Sequence, residues 1–210
     1  MADRFSQAVK TAFAAFEKKG KDNSTGSSAT LRLTFGSQAD GAAPVVVDAT
    51  NAGTHVTPVQ ATPEPALALA AAAAATSAPD TKYLAISLDP DAPFPSFPFL
   101  GPILHGVQAD LTIDNTTGDA AWRPLTSSTP PTLHYIKPGP PSPSAAHRYI
   151  FLLYKQPEGL DDAAIRAKMG WAAKGPALTR SGRMRFVVGD LETKLGLGAV
   201  VGINYFESSQ

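Results

Sequence analysis

The chain contains no cysteine, so disulfide staples, thiolate nucleophiles and cysteine-ligated zinc are excluded. It also lacks an excess of either charge: 18 Lys and Arg stand against 18 Asp and Glu. A nucleic-acid binder carries a basic excess or stripe, so no nucleic-acid partner is expected. The short basic run Arg180, Arg183, Arg185 reads as a solvated strand edge. Long apolar runs are missing too. The most apolar stretch, residues 66–75, is mostly alanine and about half of the roughly 20 residues that a membrane-spanning helix needs. No apolar segment ahead of a small-residue cleavage site is evident near the start, and no lipidation motif. These readings predict a cytoplasmic protein without a transmembrane segment.

Proline and glycine are plentiful, at 19 and 17 residues, where average usage would give roughly 10 prolines. Proline breaks helices and punctuates strands. Together with 43% hydrophobic residues, enough for a core in a chain of this length, the composition favours a mainly β domain rich in loops. Residues 1–20 read as a separate amphipathic helix: Phe5, Val9, Phe13 and Phe16 share one face, and Lys18 and Lys19 precede Gly20. A polar Ser/Thr/Gly stretch then links to the main domain, expected over 31–210.

Within that domain, Leu31, Leu33 and Phe35 alternate with polar residues as in a half-buried strand. A second short apolar run covers 45–47. Residues 61–79, an Ala/Pro-rich stretch, read as an irregular surface insertion. Strands are predicted over 82–88, 103–113, 147–154, 185–188 and 199–206, and a helix over 161–173. The 147–154 strand is apolar on both faces and should lie centrally, covered on both sides.

Three pieces of this chain carry chemistry. Asp89 and Asp91 are locked between Pro90 and Pro93 directly after an apolar strand. Prolines hold each aspartate extended, either as a turn that caps the strand or as a paired-carboxylate site. His105 opens the next strand. A rigid Pro/Gly loop containing Gly139 and Pro140 then leads into His147 and Tyr149, which share one strand face and form a pre-organised wall for a small ligand.

Together, Asp89-Pro90-Asp91-Ala92-Pro93, His105 and Gly139-Pro140-Pro141…His147-Arg148-Tyr149 resemble the phosphatidylethanolamine-binding, or Raf-kinase-inhibitor-protein, family. Residues 198–206 resemble its last core strand, and 102–108 are similar to fungal members related to carboxypeptidase Y inhibitors. The resemblance implies an antiparallel β-sandwich with peripheral helices. It also implies a pocket for phosphate, carboxylate or a phospholipid headgroup, formed by Asp89, Asp91, Pro93, His105, Gly139, Pro140, His147 and Tyr149, with Tyr205 on the late strand. Many members carry an aromatic residue after the first histidine. Gly106 stands there in this chain and predicts a wider pocket floor. Animal members continue into a further helix beyond the point where this chain ends, which predicts a more open mouth.

The expected function is binding of a small anionic ligand, with modulation of a protein partner; kinases and a serine carboxypeptidase are partners within the family. One alternative is carboxypeptidase inhibition through a surface segment. Another is a fungal natural-product enzyme that forms carbon–carbon bonds, such as a dimerase of maleic-anhydride monomers. His147, His105 and Asp89 would then be catalytic, with histidine as base. Asp89 or Asp91 with both histidines can form a facial metal triad, but the family does not need one, so neither metal nor cofactor is expected.

Overall fold

A computed structural model describes residues 10, 30–36 and 43–210. The expected N-terminal helix lies outside the described residues, apart from Lys10. Eight strands and three α-helices follow among those described. They are β1 (Leu31–Phe35), β2 (Val45–Val47), β3 (Ala66–Ala70), α1 (Ala71–Ala74), β4 (Tyr83–Asp89), β5 (Ile103–Ile113), β6 (Trp122–Thr126), β7 (His147–Lys155), α2 (Asp162–Met169), α3 (Val188–Leu195) and β8 (Val200–Ser208).

The strands form one antiparallel sheet in the order β2-β1-β3-β6-β5-β4-β7-β8. The long strand β5 joins its two halves. Most of β5 pairs with β4, while Thr112 and Ile113 pair with β6. Pairing with β4 shifts between Tyr83/Leu111 and Ala85/Gln108, so β5 carries an extra residue there, the mark of a bulge. Asp110 within this bulge has φ 56°, a left-handed conformation that few non-glycine residues adopt. The Gln156 side chain holds it, accepting the Asp110 N–H at 2.7 Å and donating back to its carboxylate at 3.1 Å.

The halves fold face to face. Buried Asn204 on β8 donates to the carbonyls of Leu31 and Val47 at 2.8 and 2.9 Å. This closes the sandwich and satisfies an amide that would be costly to bury alone. Between the halves lies one core of Leu31, Leu33, Phe35, Tyr149, Phe151 and Phe206. A second core lies on the other face of β4 and β7, where Leu84, Ile86, Leu88, Ile150 and Leu152 meet Ile165 of α2 and Leu191 of α3. Strand β7 is thus covered on both sides, as its doubly apolar pattern predicts.

Helix α2 starts where Asp161 accepts the Ala164 N–H at 2.8 Å and stops at Gly170 in left-handed backbone, as capping chemistry requires. Two elements differ from the expectation. Residues 66–70 are not an irregular insertion: β3 pairs with both β1 and β6 and buries Leu67 and Leu69. Residues 185–188 are not a strand. Arg185 turns through left-handed backbone (φ 54°), and Val188 begins α3, which buries Val188, Leu191, Glu192 and Leu195 at helical spacing.

Candidate ligand pocket

The sheet order puts the ends of β5, β4 and β7 side by side, and with them the three chemical pieces of the sequence. Asp89 ends β4, His147 begins β7, and His105 lies near the start of β5. All three are buried. They border a cavity of about 520 Å³, also lined by Pro93, Gly139 and Tyr149. The remaining predicted positions are elsewhere. Asp91 is buried behind the cavity, where it takes the Arg148 guanidinium with two hydrogen bonds of 2.9 and 2.8 Å and the Arg148 N–H at 2.8 Å. Pro141, not Pro140, faces the cavity.

Tyr205 is also away from the cavity. It pairs with Ile150 in β8, whereas Phe206 pairs with Tyr149, so strand parity turns Tyr205 to the opposite face. Phe206 is the residue that backs the pocket, stacked on Tyr149 with ring centroids 5.1 Å apart. Gly106 does not widen the floor either. A Cβ there would meet Ser87 Oγ at 3.1 Å and Tyr135 Cα at 3.4 Å. The missing side chain makes room for the 133–135 segment, not for a ligand.

The Asp89 carboxylate organises the inner end. One oxygen accepts the Asp91 N–H at 2.8 Å, the capping turn that prolines at 90 and 93 favour. The other accepts Nδ1–H of His147 at 2.9 Å. On the far side of that ring, Nε2 lies 3.2 Å from the Pro93 carbonyl and 3.0 Å from Ser144 Oγ. The Ser144 hydroxyl donates its proton to the Ala145 carbonyl. Both ring nitrogens of His147 therefore have partners inside the fold. Burial opposes a charge on the ring, but the Asp89 hydrogen bond and charge, the Asp91 charge and the Pro93 carbonyl together raise the pKa above the usual histidine value.

His105 is the opposite case. Its Nδ1–H donates to the Ile136 carbonyl at 2.7 Å, which assigns the tautomer with a bare Nε2 lone pair. Burial holds its pKa below the usual value, outweighing the Ile136 carbonyl and the Asp89 charge, which act to raise it. The Tyr149 ring stands edge-on to His105 at 5.1 Å. Burial, then the Asp89 charge, push its phenol pKa upward, so it remains a neutral hydroxyl donor. At the outer end, exposed Lys137 and Arg180 line the cavity. Neither has an ion-pair partner among the described residues.

Sequence reasoning missed three residues. Lys137 and Arg180 stand in loops whose approach depends on the tertiary fold. Arg183 was read as solvated, but it is buried. Its guanidinium donates to the carbonyls of His105 at 2.9 Å and His134 at 3.0 Å, clamping β5 to the loop that carries Lys137. The only available signal was its place in a short basic run. Among the described residues, no group of three or more His, Asp or Glu could hold a metal ion.

Comparison with known proteins bears on the family and the fold. A family model described as "Phosphatidylethanolamine-binding protein" matches residues 37–192. The chain is similar to the carboxypeptidase Y inhibitor of Saccharomyces cerevisiae, at 32% identity over 109 residues, which is 47% of this chain and 50% of that protein. It is also similar to the phomoidride biosynthesis cluster protein N of Talaromyces stipitatus, at 31% identity over 105 residues, 50% of this chain and 48% of that one. These matches span about half the length of the curated relatives. Among solved structures, carboxypeptidase Y inhibitor complexed with its cognate proteinase shares the fold, with a TM-score of 0.65, 24% identity, and coverage of 100% of this chain and 98% of that one.

Proposed function

The chain belongs to the phosphatidylethanolamine-binding protein family, and from that premise we propose that it binds a small acidic ligand, a phosphate monoester or a carboxylate, in the cavity between His105 and Arg180. One observation carries this reading. The pocket pairs a bare acceptor, His105 Nε2, with two cations at its mouth, Lys137 and Arg180, that have no ion-pair partner among the described residues. A singly protonated phosphate ester complements both: its hydroxyl donates to His105, and its anionic oxygens meet the Tyr149 hydroxyl and the cations. An ammonium group on a phosphoethanolamine headgroup can take the place of that hydroxyl. His147 contributes structure instead of contact, since both its nitrogens are already used.

Calorimetric titration with phosphoethanolamine, inorganic phosphate and acetate tests this. Saturable binding is expected, weakened at least tenfold in Lys137→Glu/Arg180→Glu. Absence of heat at millimolar ligand contradicts it.

A second reading is inhibition of a serine carboxypeptidase, supported by the two carboxypeptidase Y inhibitor matches. It predicts that the full chain lowers carboxypeptidase activity and that removing residues 1–20 changes the inhibition constant. An equal lack of effect from both forms speaks against it. The match to a biosynthesis cluster protein supports an enzyme reading, in which proton abstraction falls to His105, the one imidazole in the pocket with a free nitrogen. Undiminished turnover of maleic-anhydride monomers by His105→Ala would exclude that role.

A further inference from the structure

The groups that would hold an acid occupy only part of the cavity wall. Leu100, Ile103, Ile136 and Met184 line it as well. These four large aliphatic side chains are partly buried and belong to neither hydrophobic core. Their apolar surface is therefore not used up by folding, and covering it is favourable. The volume points the same way. Water takes about 30 Å³ per molecule, so a cavity of about 520 Å³ is many times larger than an acetate or a phosphate needs. Sites for organic ligands have this size and this make-up, a largely apolar lining with a few placed polar groups.

The fold joins this aliphatic wall to the polar groups. On β5, Ile103 and His105 flank Leu104, which is buried in the core, so strand alternation turns both towards the cavity. Ile136 is tied to His105 twice. Its N–H donates to the His105 carbonyl at 2.9 Å, and its carbonyl accepts the His105 Nδ1–H at 2.7 Å. Leu100 and Met184 come from separate loops that are bonded beside them: the Arg185 N–H donates to the Leu100 carbonyl and the Phe186 N–H to the Pro102 carbonyl, both at 2.9 Å. Lys137 follows Ile136 directly, and Arg180 precedes Met184 in the same loop. Asp89 is the carboxylate on the lining. Its two oxygens accept the Asp91 N–H at 2.8 Å and the His147 Nδ1–H at 2.9 Å, which commits it to the fold.

We propose that the pocket takes an amphiphilic organic acid, a carboxylate or phosphate monoester whose apolar body of several carbons lies against Leu100, Ile103, Ile136 and Met184 while its acid group meets His105, Lys137 and Arg180. This rests on the acid-binding reading above and goes beyond it: the apolar substituent, not the acid group, selects the ligand. Each methylene covered by the wall raises affinity by about three- to fourfold. A bare acid gains nothing from the wall, and neither does a polar substituent such as an aminoethyl group.

Calorimetric titration of the full chain with acetate, butyrate and hexanoate, and with phosphoethanolamine against butyl phosphate, tests it. Affinity is expected to rise through the carboxylate series by about threefold or more per methylene, and butyl phosphate should bind about tenfold or more tightly than phosphoethanolamine. Met184→Ser should lower the ratio of hexanoate to acetate affinity by about threefold or more. Phe97→Ser, at a side chain that is 59% exposed and outside the cavity lining, should leave that ratio as in the wild type. Equal affinity for acetate and hexanoate, or for the two phosphate esters, overturns the proposal and leaves the acid-binding reading standing. A Phe97→Ser ratio that falls as far as that of Met184→Ser does the same, because the chain would then lie outside the cavity. Absence of binding by every probe, acetate included, removes the acid-binding reading and this inference together.

Discussion

Asp89 and the two histidines beside it set the electrostatics of the pocket. The Asp89 carboxylate holds the His147 pKa above the usual histidine value, whereas burial holds that of His105 below it. Their effects on stability run in opposite directions. The raised pKa of His147 gives stabilisation that is complete below the unfolded value of about 6.5 and is lost as pH rises through the raised value. The lowered pKa of His105 gives stabilisation that is complete above about 6.5 and is lost as pH falls towards the lowered value. Together they produce a stability maximum near that pH. In Asp89→Asn the decline on the alkaline side should disappear, and the protein should lose about 3 kcal/mol, the usual cost of breaking a buried ion pair. Urea denaturation from pH 5 to 9 measures both, and an unchanged alkaline decline would show that His147 is not the group responsible. The Asp-Pro-Asp-Ala-Pro and His-Arg-Tyr segments made Asp89, His147 and Tyr149 legible in the sequence, and the histidine opening the next strand pointed to His105. Which histidine pKa is raised and which is lowered was not legible, because the depth of burial of each ring and the approach of Asp89 to His147 are set by tertiary folding.

Among the elements, β3 shows where composition misleads. Its alanines suggest helix or a loose insertion, but Leu67 and Leu69 sit two apart and both point into the core. The period-2 signal was present, hidden by low complexity. Leu69→Ala should therefore cost about 2–5 kcal/mol in thermal or chemical denaturation; a loss within about 0.5 kcal/mol, as at a surface site, would mean that β3 is not an integral strand. β6 went unread because Pro124 interrupts its apolar pattern. The sequence 185–188 looked like a strand because Phe186, Val187 and Val188 are β-formers. The longer 188–195 spacing of buried residues decides for helix instead. By contrast, β4 and β7 were readable as short continuous apolar runs, the pattern of strands covered on both faces.

For the whole molecule, net neutrality conceals a division of charge. Composition averages over the surface, so the approach of Lys137 and Arg180 at the cavity mouth is invisible until β4, β5, β7 and the 177–189 loop are assembled. Among the described residues no helix is long and apolar enough to cross a membrane. The fold supplies a sandwich whose strand ends hold the Asp89–His147 hydrogen bond at the inner end, the His105 imidazole on the wall and, at the mouth, two cations with no ion-pair partner among the described residues. In the proposed complex His105, not His147, meets the ligand. Nitrogen NMR of the histidine rings during titration with phosphoethanolamine tests this most directly. The His105 Nε2 signal is expected to move from a bare lone pair to a hydrogen-bonded position as the pocket saturates, while both His147 nitrogens stay fixed. Movement of the His147 signals with His105 unchanged, or no movement of either at millimolar ligand, would contradict it.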